Sequence, residues 1–323
     1  MNKCFIGDCR ETMTRLISEG VKVQTCITSP PYWGLRDYGH EGQLGLEGTP
    51  EEYVSNMVEV FRLVRELLAE DGTLWLNLGD SYAGSSGPGS RPDNKTASKY
   101  KDEFTKYDNP NRKVRKVSGL KLKDLVGIPW LVAFALRADG WYLRSDIIWH
   151  KPNPMPESVT DRPTKAHEYI FLMSKSRKYY YDTEAIKEDS VDTESFTGRR
   201  KRNQGQQNKV DPKNYKFHGS VSTDGTLKHG QKYEKRNKRS VWTIPTKSYP
   251  GAHFATYPPE LIIPCILAGS RPGDIVFDPF FGSGTTGETA ERLGRKWVGC
   301  ELKPGYKMLQ QKRTAQIGIA FST

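Results

Sequence analysis

No apolar run in this 323-residue chain approaches the ~20 residues that a membrane-crossing helix needs. The longest clean stretches are as short as Leu261 to Ile263 and Cys265 to Ala268. Met1 to Arg10 carries no signal-peptide core, so a cytoplasmic location and no membrane partner are expected. Cysteine is scarce as well. The five present, Cys4, Cys9, Cys26, Cys265 and Cys300, are odd in number and include no Cys-x-x-Cys pair. That argues against a disulfide framework and a zinc cage, and no metal is expected. Wholesale disorder is excluded by composition: 36% of residues are hydrophobic, and the 30 glycines raise the apolar share to about 45%, within reach of the globular norm.

Positive charge is what the chain has in excess, with 49 Lys+Arg against 38 Asp+Glu and a net charge of +11. The excess is local. Between Phe196 and Ser240 there are 13 basic and three acidic residues, including the run Arg199, Arg200, Lys201, Arg202. A second segment, Gly84 to Ser118, has nine basic and four acidic residues. Such runs often form only solvated surface, but here polyanion binding is the competing reading. Asn203, Gln204, Gln206 and Gln207, with Tyr215, Phe217 and Tyr233 interleaved, suit phosphate contacts combined with base-edge readout.

Outside those segments, strands alternate with helices. Cys4 to Gly7 is a short apolar run, and Asp8-x-x-Glu11 then caps a helix that stops at Gly20. Val21 to Thr28 predicts a buried strand. Thr49-Pro50-Glu51-Glu52 opens a helix whose apolar positions recur from Tyr53 to Leu68 and end at Asp71-Gly72, and Thr73 to Leu78 is the next strand. Beyond the first basic segment the pattern predicts a helix over Pro129 to Arg137 and strands at Trp141 to Trp149 and Glu168 to Met173. From Pro258 come a helix, a strand (Asp274 to Phe277), a helix to Leu293, a strand (Lys296 to Cys300) and a last helix. Strands separated by helices imply an α/β, mostly parallel sheet.

Two turns carry chemistry. The first is Asp278-Pro279-Phe280-Phe281-Gly282-Ser283-Gly284-Thr285-Thr286-Gly287, a Gly-x-Gly-x-x-Gly between strand and helix, with Glu301 at the tip of the next strand. Glycines there admit close backbone approach, and a carboxylate after the second strand can hold ribose hydroxyls. No Lys follows the glycines, against a triphosphate loop, and Asp278 at the strand end would repel a pyrophosphate. A cofactor with a cationic amino-acid end, such as S-adenosylmethionine, tolerates that carboxylate. The second turn, Thr28-Ser29-Pro30-Pro31-Tyr32-Trp33, follows the strand Val21 to Thr28. Its prolines fix a Ser hydroxyl and a Pro carbonyl as acceptors beside aromatic faces. Ser29 Oγ and the Pro30 carbonyl could take the two protons of an exocyclic amino group and localise its lone pair, while Tyr32 stacks on the ring. Pro264-Cys265 superficially offers a thiolate for cytosine-C5 chemistry. It lies in the apolar run Leu261 to Leu267, where core packing is expected.

On these two turns the chain resembles the amino-group DNA methyltransferases, and their order, catalytic turn first and cofactor turn last, resembles the β group of that family. Trp149-His150-Lys151-Pro152-Asn153 and Glu168 to Lys175 extend the likeness. The resemblance implies a seven-stranded Rossmann-like S-adenosylmethionine-dependent sheet in permuted order, its first two strands from the carboxyl end and its third beginning at Cys4. It further implies catalysis by Ser29, Pro30, Pro31 and Tyr32 on a flipped-out base of double-stranded DNA. Cofactor contacts would come from Asp8 (adenine), Glu301 (ribose), Asp278, Phe280, Gly282, Ser283, Gly284, Thr285 and Thr286. His253-Phe254-Ala255-Thr256-Tyr257-Pro258 resembles the segment that closes over the methionine part, with Phe254 where a proline is commoner.

Domain roles follow. Residues 1–83 would be the catalytic half, 84–118 a basic flexible loop, 119–186 a continuation of the sheet, 187–245 a basic target-recognition insertion holding Arg199, Arg200, Lys201 and Arg202, and 246–323 the cofactor-binding half. Ser at the first turn position resembles the cytosine-N4 branch, whereas Asp or Asn is commoner in the adenine-N6 branch. Adenine N6 is the alternative target, and a catalytically inactive DNA-binding regulator the alternative class, against which both intact turns speak. A homodimer and a cognate restriction endonuclease are the further partners implied.

Overall fold

The computed structural model describes residues 2–35, 40, 42–84, 119–190, 235–247 and 257–315. By internal contacts the chain divides into two units, one formed by Met1–Ile186 with Arg239–Thr323 and the other by Lys187–Lys238.

The first unit is a sheet with helices on both faces. Strand β1 (Lys3–Ile6) leads into α1 (Cys9–Ser18), whose first turn is capped by Asp8, accepting from the Arg10 N–H at 2.8 Å. Strand β2 (Val23–Thr28) is buried along its whole length. Helix α2 (Pro50–Leu67) opens as a reciprocal cap: Thr49 Oγ1 accepts from Glu52 N, and Glu52 Oε2 accepts from Gly48 N at 2.9 Å. Then come β3 (Leu68–Leu78), α3 (Ile128–Ala138), β4 (Tyr142–His150) and β5 (His167–Ser174). In the second unit β6 (Glu188–Asp189) pairs with β7 (Lys235–Arg236) in an antiparallel ribbon, and Arg236 Nε donates to Glu188 Oε1 at 3.1 Å. The first unit continues with β8 (Val241–Thr243), α4 (Pro259–Gly269), β9 (Ile275–Asp278), α5 (Thr285–Arg292), β10 (Lys296–Glu301) and α6 (Lys307–Ala315).

The sheet order is β1-β10-β9-β2-β3-β5-β4-β8. All neighbours are parallel except β5, which runs antiparallel to β3 and β4. Side chains alternate across the sheet as the two-residue period requires. Leu74, Leu76, Phe171 and Phe277 pack with Met13, Tyr53, Phe61 and Leu136 on one face. Trp75, Leu172 and Val276 pack with Leu261, Ile266 and Ala290 on the other. No helix among the described residues is long and apolar enough to cross a membrane.

The strand order departs from β9 in one direction and from β2 in the other, which makes the β9/β2 junction the switch point. Open α/β sheets bind ligands there, beyond the carboxyl ends of the strands. The last residues of those two strands are Asp278 and Thr28.

Two expectations are corrected. The seven strands are present, but an eighth joins the edge. Val241–Thr243 pairs parallel with β4, secured by Trp149 Nε1 donating to the Ile244 carbonyl at 2.8 Å. Three residues are too few to show a period in sequence. Finally, α2 ends at Leu67 rather than at Asp71-Gly72, and Leu68 already pairs with Val23. The register shifts before Thr25 meets Thr73, so the apparent helix stop lies inside an irregular strand.

Candidate active site at the switch point

The glycine-rich turn is seated by Phe281, which is buried, stacks on Trp297 with ring centroids 4.9 Å apart, and donates its N–H to the Cys300 carbonyl at 2.8 Å. With Phe281 pinned beneath it, the turn runs over the tips of β9 and β10. Gly282 and Gly284 have φ of 52° and 91°, a left-handed conformation that disfavours side chains, and Gly284 is the residue from which α5 starts. Glu301, at the end of β10, accepts from Gly282 N and from Lys303 N, both at 2.8 Å. Burial pushes its carboxyl above the usual 4.5.

Asp278 is only 1% exposed, and its carboxylate is the hub of the junction. Oδ1 accepts from Thr28 Oγ1 at 2.6 Å and from Phe280 N at 3.0 Å. Oδ2 accepts from Thr286 Oγ1 at 2.6 Å and from the Tyr257 hydroxyl at 3.1 Å. Burial still holds its pKa above the ordinary value, because these donors offset only part of the desolvation.

The second turn is held from three sides. The Tyr53 hydroxyl of α2 donates to the Pro31 carbonyl at 2.9 Å, and Trp33 is buried with its Nε1 donating to the Glu47 carbonyl at 3.1 Å. The Tyr32 ring lies against Gly79, where a Cβ would come within 2.5 Å of Cε2. The Tyr32 hydroxyl donates to Glu168 Oε2 at 2.7 Å and accepts from Asn77 Nδ2 at 2.8 Å, while Ser29 Oγ donates to it at 3.3 Å. Lys151 Nζ forms an ion pair with Glu168 Oε1. Ser29 and Tyr32 are partly buried, and Pro30 is buried.

The sequence-selected residues are therefore brought together at one end of the sheet, with differing degrees of freedom. Ser29, Pro30, Pro31 and Tyr32 follow β2, while Asp278 and Glu301 end β9 and β10, Phe280, Gly282 and Gly284 lie in the turn after β9, and Thr286 is in the first turn of α5. The Ser283 and Thr285 hydroxyls are engaged by Arg313 of α6, at 2.7 and 2.5 Å. Asp8 caps α1 and pairs with Arg10 at 2.6 Å, which lowers its pKa. His253 and the run Arg199, Arg200, Lys201, Arg202 lie outside the described residues. Cys265 is 1% exposed within α4, packed in the core as expected. The sequence motifs assign no roles to Thr28, Asn77, Lys151, Glu168 or Tyr257, although all but Asn77 lie in or beside them. The donor set suits an S-adenosyl cofactor: a left-handed, glycine-built turn for close approach, a strand-end carboxylate for a ribose, and a carboxylate beneath the place of a cationic end.

A family profile described as DNA methylase matches residues 23–312. The chain is 46% identical over 312 residues to the type II methyltransferase M.SmaI of Serratia marcescens, covering 96% of this chain and 90% of that one. It is 44% identical over 321 residues to the type II methyltransferase M.Cfr9I of Citrobacter freundii, covering 98% and 90%. Among solved structures, the PvuII DNA methyltransferase, titled cytosine-N4-specific, matches with a TM-score of 0.59 at 19% identity, covering 96% of this chain and 85% of that one. A DNA modification methylase from Thermus thermophilus, solved with S-adenosyl-L-methionine, matches with a TM-score of 0.54 at 23% identity, covering 96% and 92%.

Proposed function

The chain belongs to the N6/N4 DNA methylase family as an S-adenosylmethionine-dependent DNA methyltransferase, and from that premise we propose that it methylates N4 of a cytosine within a specific site. The observation that carries this choice of base is Ser29, a hydroxyl rather than an amide or carboxylate, at the first position of the Pro-Pro-Tyr turn.

S-adenosylmethionine supplies an electrophilic methyl group on a sulfonium. The chain's part is to present the nucleophile. An exocyclic amino nitrogen is a poor one, because its lone pair is delocalised into the ring. Ser29 Oγ and the Pro30 carbonyl take its two protons and localise the pair. The neighbouring Pro31 carbonyl is already engaged by Tyr53, which leaves Pro30 as the acceptor of this pair. Tyr32 stacks on the base, which must leave the duplex to reach the turn. Glu301 holds the ribose and Gly282 and Gly284 admit the cofactor. Asp278 acts by its charge and by fixing Thr28, Phe280, Tyr257 and Thr286. Ser283 and Thr285 act through their backbone, since Arg313 holds their hydroxyls. Asp8 reaches the adenine, and His253 belongs to the segment closing over the methionine end.

Arg199, Arg200, Lys201 and Arg202 contact phosphates within an insertion spanning 187–245 that reads the site, with 84–118 as a second basic loop. Residues 1–83 and 119–186 supply catalysis and 246–323 the cofactor half. A homodimer, a cognate restriction endonuclease and a cytoplasmic setting complete the reading. Digestion of unmethylated DNA treated with enzyme and labelled cofactor, followed by nucleoside chromatography, tests it. Label in N4-methylcytosine supports the proposal, and label in N6-methyladenine overturns it.

A further inference from the structure

Methylating an amino group leaves a proton to be disposed of, and a serine hydroxyl that receives one must pass another on. The groups behind Ser29 are aligned to do so. Ser29 Oγ donates to Tyr32 Oη at 3.3 Å, and Tyr32 Oη donates to Glu168 Oε2 at 2.7 Å. Asn77 Nδ2 spans the same three oxygens, at 3.4 Å from Ser29, 2.8 Å from Tyr32 and 2.9 Å from Glu168. Lys151 Nζ occupies the other carboxylate oxygen. The amide nitrogen and the ammonium are donors only, so Glu168 is the member of this cluster able to end a chain of proton transfers.

Two lysine ammonium groups face that carboxylate. Lys151 and Glu168 side chains are 18% and 15% exposed, so solvent screens their attraction weakly. Lys165 also faces Glu168, and its buried Nζ has no hydrogen-bond partner among the described residues. His167, the neighbour in β5, also interacts electrostatically with Glu168, and burial lowers its pKa. Burial first and the Glu168 charge second push the Tyr32 phenol well above its ordinary range, so it conducts protons as a neutral hydroxyl.

We propose that Ser29, Tyr32 and Glu168 form a proton relay ending on Glu168, with Asn77 and Lys151 as positioning residues. It rests on the reading of Ser29 as acceptor of an amino proton. As the N–C bond forms and the S–C bond breaks, the amino proton passes to Ser29 Oγ, the serine proton to Tyr32 Oη, and the tyrosine proton to Glu168 Oε2. Each hydroxyl ends with one proton. The sulfonium charge and the carboxylate charge are lost together, leaving a thioether, a methylamino base and a carboxylic acid.

Single-turnover methyl transfer is measured against pH for wild type, Glu168→Gln, Tyr32→Phe and Ser29→Ala, with cofactor and DNA affinities determined for each. Infrared difference spectra report carboxyl protonation during the turnover. Glu168→Gln and Tyr32→Phe are each expected to lose about two to four decades in rate at retained affinity, the scale of general-base catalysis. Their double variant should lose little more, because the two act as one unit. In Glu168→Gln the acid limb of the pH profile and the protonated-carboxyl band of the wild type should both vanish. Should freeing Lys151 unfold Glu168→Gln, Tyr32→Phe leaves that ion pair intact and carries the same test. A wild-type rate with an unchanged acid limb in Glu168→Gln overturns the relay. If Ser29→Ala is impaired in that case, the relay alone fails; if Ser29→Ala also keeps its rate, the underlying reading of Ser29 fails with it.

Discussion

Thr28 Oγ1 donates to Asp278 Oδ1 at 2.6 Å, joining residues 250 positions apart in the chain. Both are 1% exposed. One is the residue before the Ser-Pro-Pro-Tyr turn and the other opens the glycine-rich turn, so this bond fixes the spacing of the two turns, to which the proposed function assigns the base and the cofactor. Methyl transfer depends on that distance, since reacting atoms must be held in line at close approach.

Thr28→Val removes the bond and keeps the shape. A hydrogen bond to a charged group contributes about 1.5 to 3 kcal/mol, and chemical denaturation should show a loss of that order. Cofactor affinity and turnover should fall together, whereas Thr28→Ser, which keeps the hydroxyl, should retain both. Equal behaviour of the two variants would place the linkage elsewhere.

The raised carboxyls of Glu301 and Asp278 set opposite pH trends for binding and folding. Glu301 protonates above the usual 4.5, because burial disfavours its charge. Cofactor affinity should therefore decline on acidification at a higher pH than an ordinary carboxylate would give. Stability of the free protein runs the other way. A group whose folded pKa is raised gives stability that is full below its unfolded pKa and is lost as pH rises through the folded pKa. Equilibrium titration and denaturation over the same pH series separate the trends, and Glu301→Gln should flatten the binding curve.

Gly79→Ala tests the seat of Tyr32. An added Cβ would fall within 2.5 Å of Cε2, so the ring must shift. Cofactor binding should persist, while base capture weakens toward the loss expected for one stacking contact, about 1 to 3 kcal/mol. A 2-aminopurine placed at the target position should brighten on binding to wild type and less with the variant. Equal brightening would show that Tyr32 is not held from that side.

Much of this site could be read from local pattern. The two turns, the caps at Asp8 and Thr49, and the carboxylate tip at Glu301 are short-range signals, and each fell within a few residues of its observed place. The permuted strand order was implied by the family resemblance that the order of the turns carries. What could not be read were contacts set by sheet pairing. Asn77 on β3 and Glu168 on β5 meet Tyr32 only because β5 lies beside β3, with Asn77 opposite Ile170 in register. No spacing between residues 32, 77 and 168 encodes that. The early start of β3 at Leu68 was hidden for a related reason: Leu68 continues the helical apolar period of α2, and pairing with Val23 overrides it.

The basic run Arg199 to Arg202 should act on DNA alone. Each lost phosphate contact lowers the salt dependence of binding by a slope of ~0.9. Replacing all four residues by Ala should weaken DNA binding, flatten that dependence, and leave cofactor affinity unaltered. Substituting Asn203, Gln204, Gln206 and Gln207 should change which sites are methylated. If deletion of the segment left both the slope and the methylated sequence unchanged, recognition would move to the 84–118 loop.

In the proposed function Ser29 activates the amino group and takes no part in holding the cofactor. Ser29→Ala, measured by cofactor titration and by single-turnover transfer on the same preparation, separates the two roles. The predicted result is wild-type cofactor affinity with transfer slower by about two to three decades, the ~2.7 to 4 kcal/mol of one preorganised hydrogen bond. Unchanged transfer, or affinity lost in step with the rate, would contradict it.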